Sequence, residues 1–220
     1  MDETNNEQFK KTKVQNNVKE TKKGKKTGGV KLITIIIAII LIAVIAVLAC
    51  KVLTKINNTP KETLDLILTE LKKGDYDKIE NYQELIEDSS LLNGEASNKE
   101  NQKLLFEKLE WNIKDEEINE DTANVTLEIT NKDFKKIISN YTQKVIKAAL
   151  SSEDFSEDEL INLLIEELKD ESNGTATTEQ TIKMKKSDGK WNIDDSESAI
   201  YALLPGLQDA LNDLNSSSDE

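Results

Sequence analysis

Residues 109–129 read LEWNIKDEEINEDTANVTLEI, and the alternation within them decides the fold class. Leu109, Trp111 and Ile113 alternate with charged or polar neighbours. Ala123, Val125, Leu127 and Ile129 do the same after a polar turn expected over 115–122. Successive strand side chains point to opposite faces, so this pattern predicts an antiparallel hairpin with one buried face. A second hairpin is predicted downstream. Residues 175–186 form its first strand, with Ile182 and Met184 on the apolar side. Ser187-Asp188-Gly189-Lys190 is a hairpin turn signal, and Trp191 and Ile193 continue beyond it.

Around these hairpins the apolar period becomes helical. Thr59-Pro60-Lys61-Glu62 has the residues of a capping box with Pro at the first helical position. Leu64, Ile67, Leu68 and Leu71 then share one face, and Gly74 is a stop. A second helix is expected from Asp75, with Tyr76, Ile79 and Tyr82 inward, then a loop over 89–98. A third is expected over 99–108, presenting Leu104, Leu105 and Phe106. Asn131-Lys132-Asp133 is read as the opening of a helix carrying Phe134, Ile137, Ile138, Tyr141, Val145 and Ile146. Ser156 and Glu159 form a second capping box, leading into Leu160, Leu163, Leu164 and Leu168. Asn173-Gly174 ends that helix. The last helix, from Ser196, places Ile200, Leu203, Leu204, Leu207 and Leu211 inward across Pro205-Gly206. Runs of both kinds in one chain predict an α+β domain.

Upstream, residues 32–50 read LITIIIAIILIAVIAVLAC without a charge. At a rise of ~1.5 Å per residue this run spans roughly 28 Å, close to the ~30 Å hydrocarbon core of a bilayer. A transmembrane helix is therefore expected over 32–51. Nine lysines precede it, from Lys10 to Lys31, against Asp2, Glu3, Glu7 and Glu20, so the tail nets 9 − 4 = +5 and the rest −13 − 5 = −18. The positive-inside bias then predicts a single-pass plasma-membrane protein whose N-terminus is cytoplasmic and whose C-terminal domain is extracytoplasmic. The expected layout is a basic tail over 1–31, a linker over 52–58, the folded domain over 59–214 and a disordered tail over 215–220. Val47-Leu48-Ala49-Cys50 also resembles a bacterial lipobox, which makes Cys50 the candidate lipidation site of an alternative, cleaved lipoprotein.

Composition restricts the chemistry. With no histidine and one cysteine, His-centred triads and Cys/His zinc sites are excluded. A strongly acidic balance speaks against nucleic acid, whose binding needs a basic face. Acidic clusters occur at Asp115-Glu116-Glu117, Glu120-Asp121, Glu157-Asp158-Glu159 and Asp194-Asp195. A glycosidase would need two such carboxyls held across a cleft, whereas turns and helix starts attract acids for solvation and dipole reasons. No calcium loop or phosphate-binding loop appears. No catalytic residue, metal ligand or cofactor is therefore expected. Trp111 and Trp191 are the remaining candidates; both alternate in register with core residues and are read as core, with a pocket lining as the alternative.

Some of these residues carry a resemblance. Thr59-Pro60-Lys61-Glu62 with Leu71-Lys72-Lys73-Gly74-Asp75-Tyr76 resembles the "P-x-E…L-x-x-G-D-Y" opening of many small Gram-positive envelope proteins. Ala123-Asn124-Val125-Thr126-Leu127 and Asp188-Gly189-Lys190-Trp191-Asn192-Ile193 resemble their "A-x-V-x-V" and "D-G-K-W-x-I" strands. Those families, mostly domains of unknown function, are similar to the nuclear-transport-factor-2-like (cystatin-like) superfamily. The resemblance covers about residues 59–204. It implies a curved antiparallel sheet wrapped around a helix with a cone-shaped pocket, and it carries no catalytic residues. The helical stretch between the hairpins departs from the simplest version of that fold.

The function expected from all this is a non-enzymatic, membrane-anchored binding or interaction protein of the bacterial envelope. Its partners would be the lipid bilayer and an envelope protein or small ligand, with no nucleic acid. A bitopic scaffold subunit of a conjugation or secretion apparatus is one alternative. A lipoprotein carrying a small-ligand-binding domain is the other.

Overall fold

The computed structural model describes residues 58–74, 99–150 and 156–216. The expected span over 32–51 with Cys50, the basic tail, the helix from Asp75 and the loop over 89–98 lie outside the described residues. Among the described residues no helix is long and apolar enough to cross a membrane. The fold is α+β, with six helices and one antiparallel sheet of four strands, in the order β1-β2-β3-β4, among the described residues.

Helix α1 (Pro60–Lys73) starts and stops where its caps dictate. The Thr59 hydroxyl accepts from the Glu62 amide at 3.3 Å, and the Glu62 carboxylate accepts from the Thr59 amide at 2.9 Å. Gly74 ends it at φ 66°, a left-handed conformation that glycine adopts without strain. Leu64, Ile67, Leu68 and Leu71 are all buried. Full burial of such side chains stabilises by roughly 1.5–3 kcal/mol each. The helix lies over the inner face of the sheet, against β1, β2 and β4.

The next helix, α2 (Lys99–Lys103), is shorter than expected. From Leu104 the chain tightens into turns, with amides of Leu104, Leu105 and Phe106 donating three residues back. The tighter winding turns both Leu105 and Phe106 into the core, at 2% and 0% exposed.

Strand β1 (Glu110–Asn119) runs through the region expected to be a turn. Its register against β2 (Thr122–Lys132) shifts between Ile113 and Asp115, so Lys114 is the extra residue of a bulge. Before it, Trp111 and Ile113 share the inner face with Ile129 and Leu127. After it, Glu116 and Ile118 face Val125 and Ala123. Odd positions give way to even ones, and the apolar alternation vanishes although the strand continues. The turn itself is only Glu120-Asp121, with Glu120 at φ 54°.

Asn131 and Lys132 are a second correction, because they are the last residues of β2 and not the start of a helix. Helix α3 (Phe134–Leu150) begins after Asp133, whose side chain accepts from the Lys136 amide at 3.1 Å. It buries Phe134, Ile137, Ile138 and Tyr141, but leaves Ile146, expected inward, 54% exposed. Helix α4 (Glu157–Lys169) starts at the capping box of Ser156 and Glu159, and a short 3-10 turn (Glu171–Asn173) follows. Helix α3 packs on α4 and on α6 (Leu207–Ser216), while α5 (Ser196–Leu203) packs on the sheet. Helix α6 ends at Ser216.

Strand β3 (Thr175–Ser187) pairs with β2 along eleven positions without a shift. It turns through Asp188 and Gly189, at φ 52° and 75°, into β4 (Lys190–Ile193). Two consecutive left-handed residues are what a type I′ hairpin requires. Even positions of β3, such as Ile182 and Met184, face the helices, and odd positions face solvent.

Candidate functional site

The two tryptophans sit at opposite edges of the sheet, with β2 and β3 between them. Trp191 stands opposite Lys186 on the inner face and is 5% exposed. The Lys186 ammonium lies over the ring, 5.8 Å from its centroid. Trp111, opposite Ile129, is half-buried, and its indole N–H donates to the Asp65 carboxylate of α1 at 2.8 Å. The inner face between them is filled by Val125, Leu127, Ile182 and Met184 under α1 and α5, all at most 2% exposed. The structure thus places Trp191 in the core and makes Trp111 a bolt between β1 and α1.

A polar cluster that the sequence reading missed lies at the far end of β2. Asn131, fully buried, donates from its side-chain amide to the carbonyls of Leu105 and Leu203, both at 2.9 Å, and accepts from the Lys132 amide at 2.8 Å. It continues the odd, inward positions of Val125, Leu127 and Ile129, which was the available signal. The Lys132 ammonium is 6% exposed. It pairs with Glu107 at 2.6 Å and donates to the Leu168 carbonyl at the C-terminal end of α4, where a cation complements the helix dipole. Nearby, buried Glu167 holds Lys144 at 2.7 Å and the Asn173 amide at 3.1 Å. The hydrogen bond to Glu167 holds the Lys144 ammonium above its ordinary pKa. Every charge in this cluster has a partner, and its bonds join β2, α3, α4 and the turn after α2 (residues 104–108). It is built to tie elements together.

Several members of the acidic clusters, and Asp170, serve local structure. Glu159 is lowered by hydrogen bonds from Ser156, Asp170 by those from Ser172, and Asp195 by those from Ser198. The Glu116 carboxylate accepts from the Lys61 amide at 2.7 Å and holds the first turn of α1. Among the described residues no three His, Cys, Asp or Glu side chains could together hold a metal ion. A groove of about 470 Å³ runs between α3 and α6, crossed by the Lys135–Asp213 ion pair at 3.4 Å. A 90 Å³ cavity beside Lys132 has room for only a few waters.

The two edges of the sheet remain. The outer edge of β1 carries Glu110, Lys114, Asp115 and Glu117, and it is bent by the bulge. The first part of β3 pairs with no strand other than β2 among the described residues. On the outer face, Thr126 and Thr181 join hydroxyls at 3.0 Å, and Thr130 and Thr177 at 2.7 Å.

No family model, no curated protein and no solved structure matches this chain.

Proposed function

We propose that this chain is a membrane-anchored interaction protein of the bacterial cell envelope, non-enzymatic, with its tail over 1–31 cytoplasmic and its α+β domain outside. The domain is read as a variant of the cystatin-like arrangement, with α1 lying on the sheet and α3 and α4 inserted between the hairpins. The observation that carries the interaction reading is the burial of Trp191 at 5% exposed. An open cone would leave that ring to a ligand. A filled inner face supports binding at the outer surfaces, where among the described residues a sheet edge and a polar face are uncovered.

Two measurements test this. Protease added to intact protoplasts should remove the outer domain and leave a protected fragment containing residues 1–50. A mature N-terminus at lipid-bearing Cys50 would replace the span with a lipoprotein anchor. In a Trp111→Phe background, Trp191 emission should be blue-shifted and insensitive to acrylamide. Quenchable emission that apolar ligands shift would overturn the interaction reading in favour of a small-ligand site.

A further inference from the structure

Strand β3 is longer than the strand that covers it. β4 pairs with Met184, Lys185, Lys186 and Ser187, and the Asp194 amide reaches the Lys183 carbonyl at 2.9 Å. From Thr175 to Ile182, β3 has β2 on one side and, among the described residues, no strand on the other. Two bonds fix where its backbone groups point. The Lys186 amide donates to the Asp121 carbonyl on the β2 side, whereas the Lys183 carbonyl faces β4. Antiparallel strands direct successive residues to alternate neighbours, and this register has no shift. Thr175, Thr177, Glu179 and Thr181 therefore turn both N–H and C=O toward the open edge.

Among the described residues nothing defends that edge. Natural sheets blunt exposed strands with charges, proline or bulges. Residues 175–182 read TATTEQTI, with Glu179 as the single charge. We infer that this edge pairs antiparallel with the same edge of a second copy of the chain, about a two-fold axis at Thr178. In that register Thr177 opposes Glu179 of the second copy, and Thr175 opposes Thr181. All four edge residues on each side are used, giving about eight backbone hydrogen bonds. Shifting the axis to Glu179 would set two carboxylates directly opposite each other, which is unfavourable. The facing threonines extend the hydroxyl pairing already made across β2 and β3. The edge of β1 is excluded by its bulge and acids, so pairing closes at two copies and does not propagate. This names the partner for the interaction reading but does not rest on the membrane anchor.

The register supplies the test, in the full-length chain with Cys50→Ser. At the axis, Thr178 meets its own copy as a non-hydrogen-bonded pair with Cα atoms ~4.5 Å apart, within disulfide reach. Thr178→Cys should give an oxidised dimer at least tenfold more readily than Thr177→Cys, although Thr177 is the more exposed. Thr177→Pro removes an open-edge N–H that the single copy does not use. It should keep the circular dichroism spectrum and lower the dimer fraction in light scattering at least tenfold. Added salt should strengthen the dimer by screening two chains of net charge −13. Equal crosslinking at both cysteines, or a wild-type chain that stays monomeric at tens of micromolar, overturns the inference. Either result leaves the topology experiment untouched.

Discussion

Along its outer edge β1 carries Glu110, Lys114, Asp115 and Glu117 and a bulge, while the open part of β3 carries Glu179 alone. The first edge is also pinned from within, since Trp111 donates to Asp65 and Glu116 accepts from the Lys61 amide. The second is held from within most firmly from Ile182 onward, where β3 side chains are buried and β4 and Trp191 follow. One sheet thus finishes its two sides by different means. Charge and a bulge on β1 keep other strands away, and the threonines of β3 leave backbone groups available. A strand edge is not passive when its charges have been withheld.

The sharpest way to break this comparison is to truncate both tryptophans. Trp191→Ala should cost roughly 3–5 kcal/mol, because the ring is nearly fully buried and its loss opens a cavity under β4. Leu68→Ala, at 0% exposed on the α1 face that spans both edges, should cost about 2–5 kcal/mol. Trp111→Ala should cost less, about 1–2 kcal/mol, since a half-buried ring loses part of its contact and one hydrogen bond. Denaturant unfolding of the three variants, followed by circular dichroism, checks the order. Equal costs for the two tryptophans would mean that the β1 edge is as much a core as the β4 edge. On the outer face, Thr126→Val should change stability by only ~0.2–1 kcal/mol, the scale of one cross-strand pair.

What the sequence made legible follows the same division. The β3–β4 hairpin announced itself through Asp188-Gly189, because few residues tolerate two left-handed positions in a row. The caps at Thr59 and Ser156 were equally readable, being local chemistry across three residues. The far half of β1 was hidden because Lys114 changes the phase of alternation, which no local pattern distinguishes from a turn. Asn131 and Lys132 were misread because their partners are distant in sequence. The carbonyls of Leu105 and Leu203 satisfy one, and Glu107 and the Leu168 carbonyl the other. The shortened α2 belongs to the same class, since burial of Phe106 is decided by the sheet beneath it. Trp191 was readable as core because it alternates in register with core residues, and its burial agrees. The open edge of β3 was invisible, because a strand's neighbours are a property of the whole sheet.

The smallest expected effect concerns how the β4 edge is closed by α5. Asp195 caps that helix, accepting from the Ser198 amide at 3.0 Å and hydroxyl at 2.6 Å. The hydroxyl bond is the largest cause holding its carboxyl below the ordinary value of 3.8. The folded state therefore binds a proton less readily than the unfolded chain. The stabilisation is present above about the ordinary value and is lost as pH falls through the folded one. Acid should thus loosen the start of α5 before neutral conditions show any change, and the Ser198 amide should lose exchange protection in that window. Asparagine caps about as well as aspartate and does not titrate there. Asp195→Asn should therefore leave stability at pH 7 nearly unchanged and flatten the acid limb of the stability–pH curve. An unaltered acid limb would show that the cap does not couple to folding.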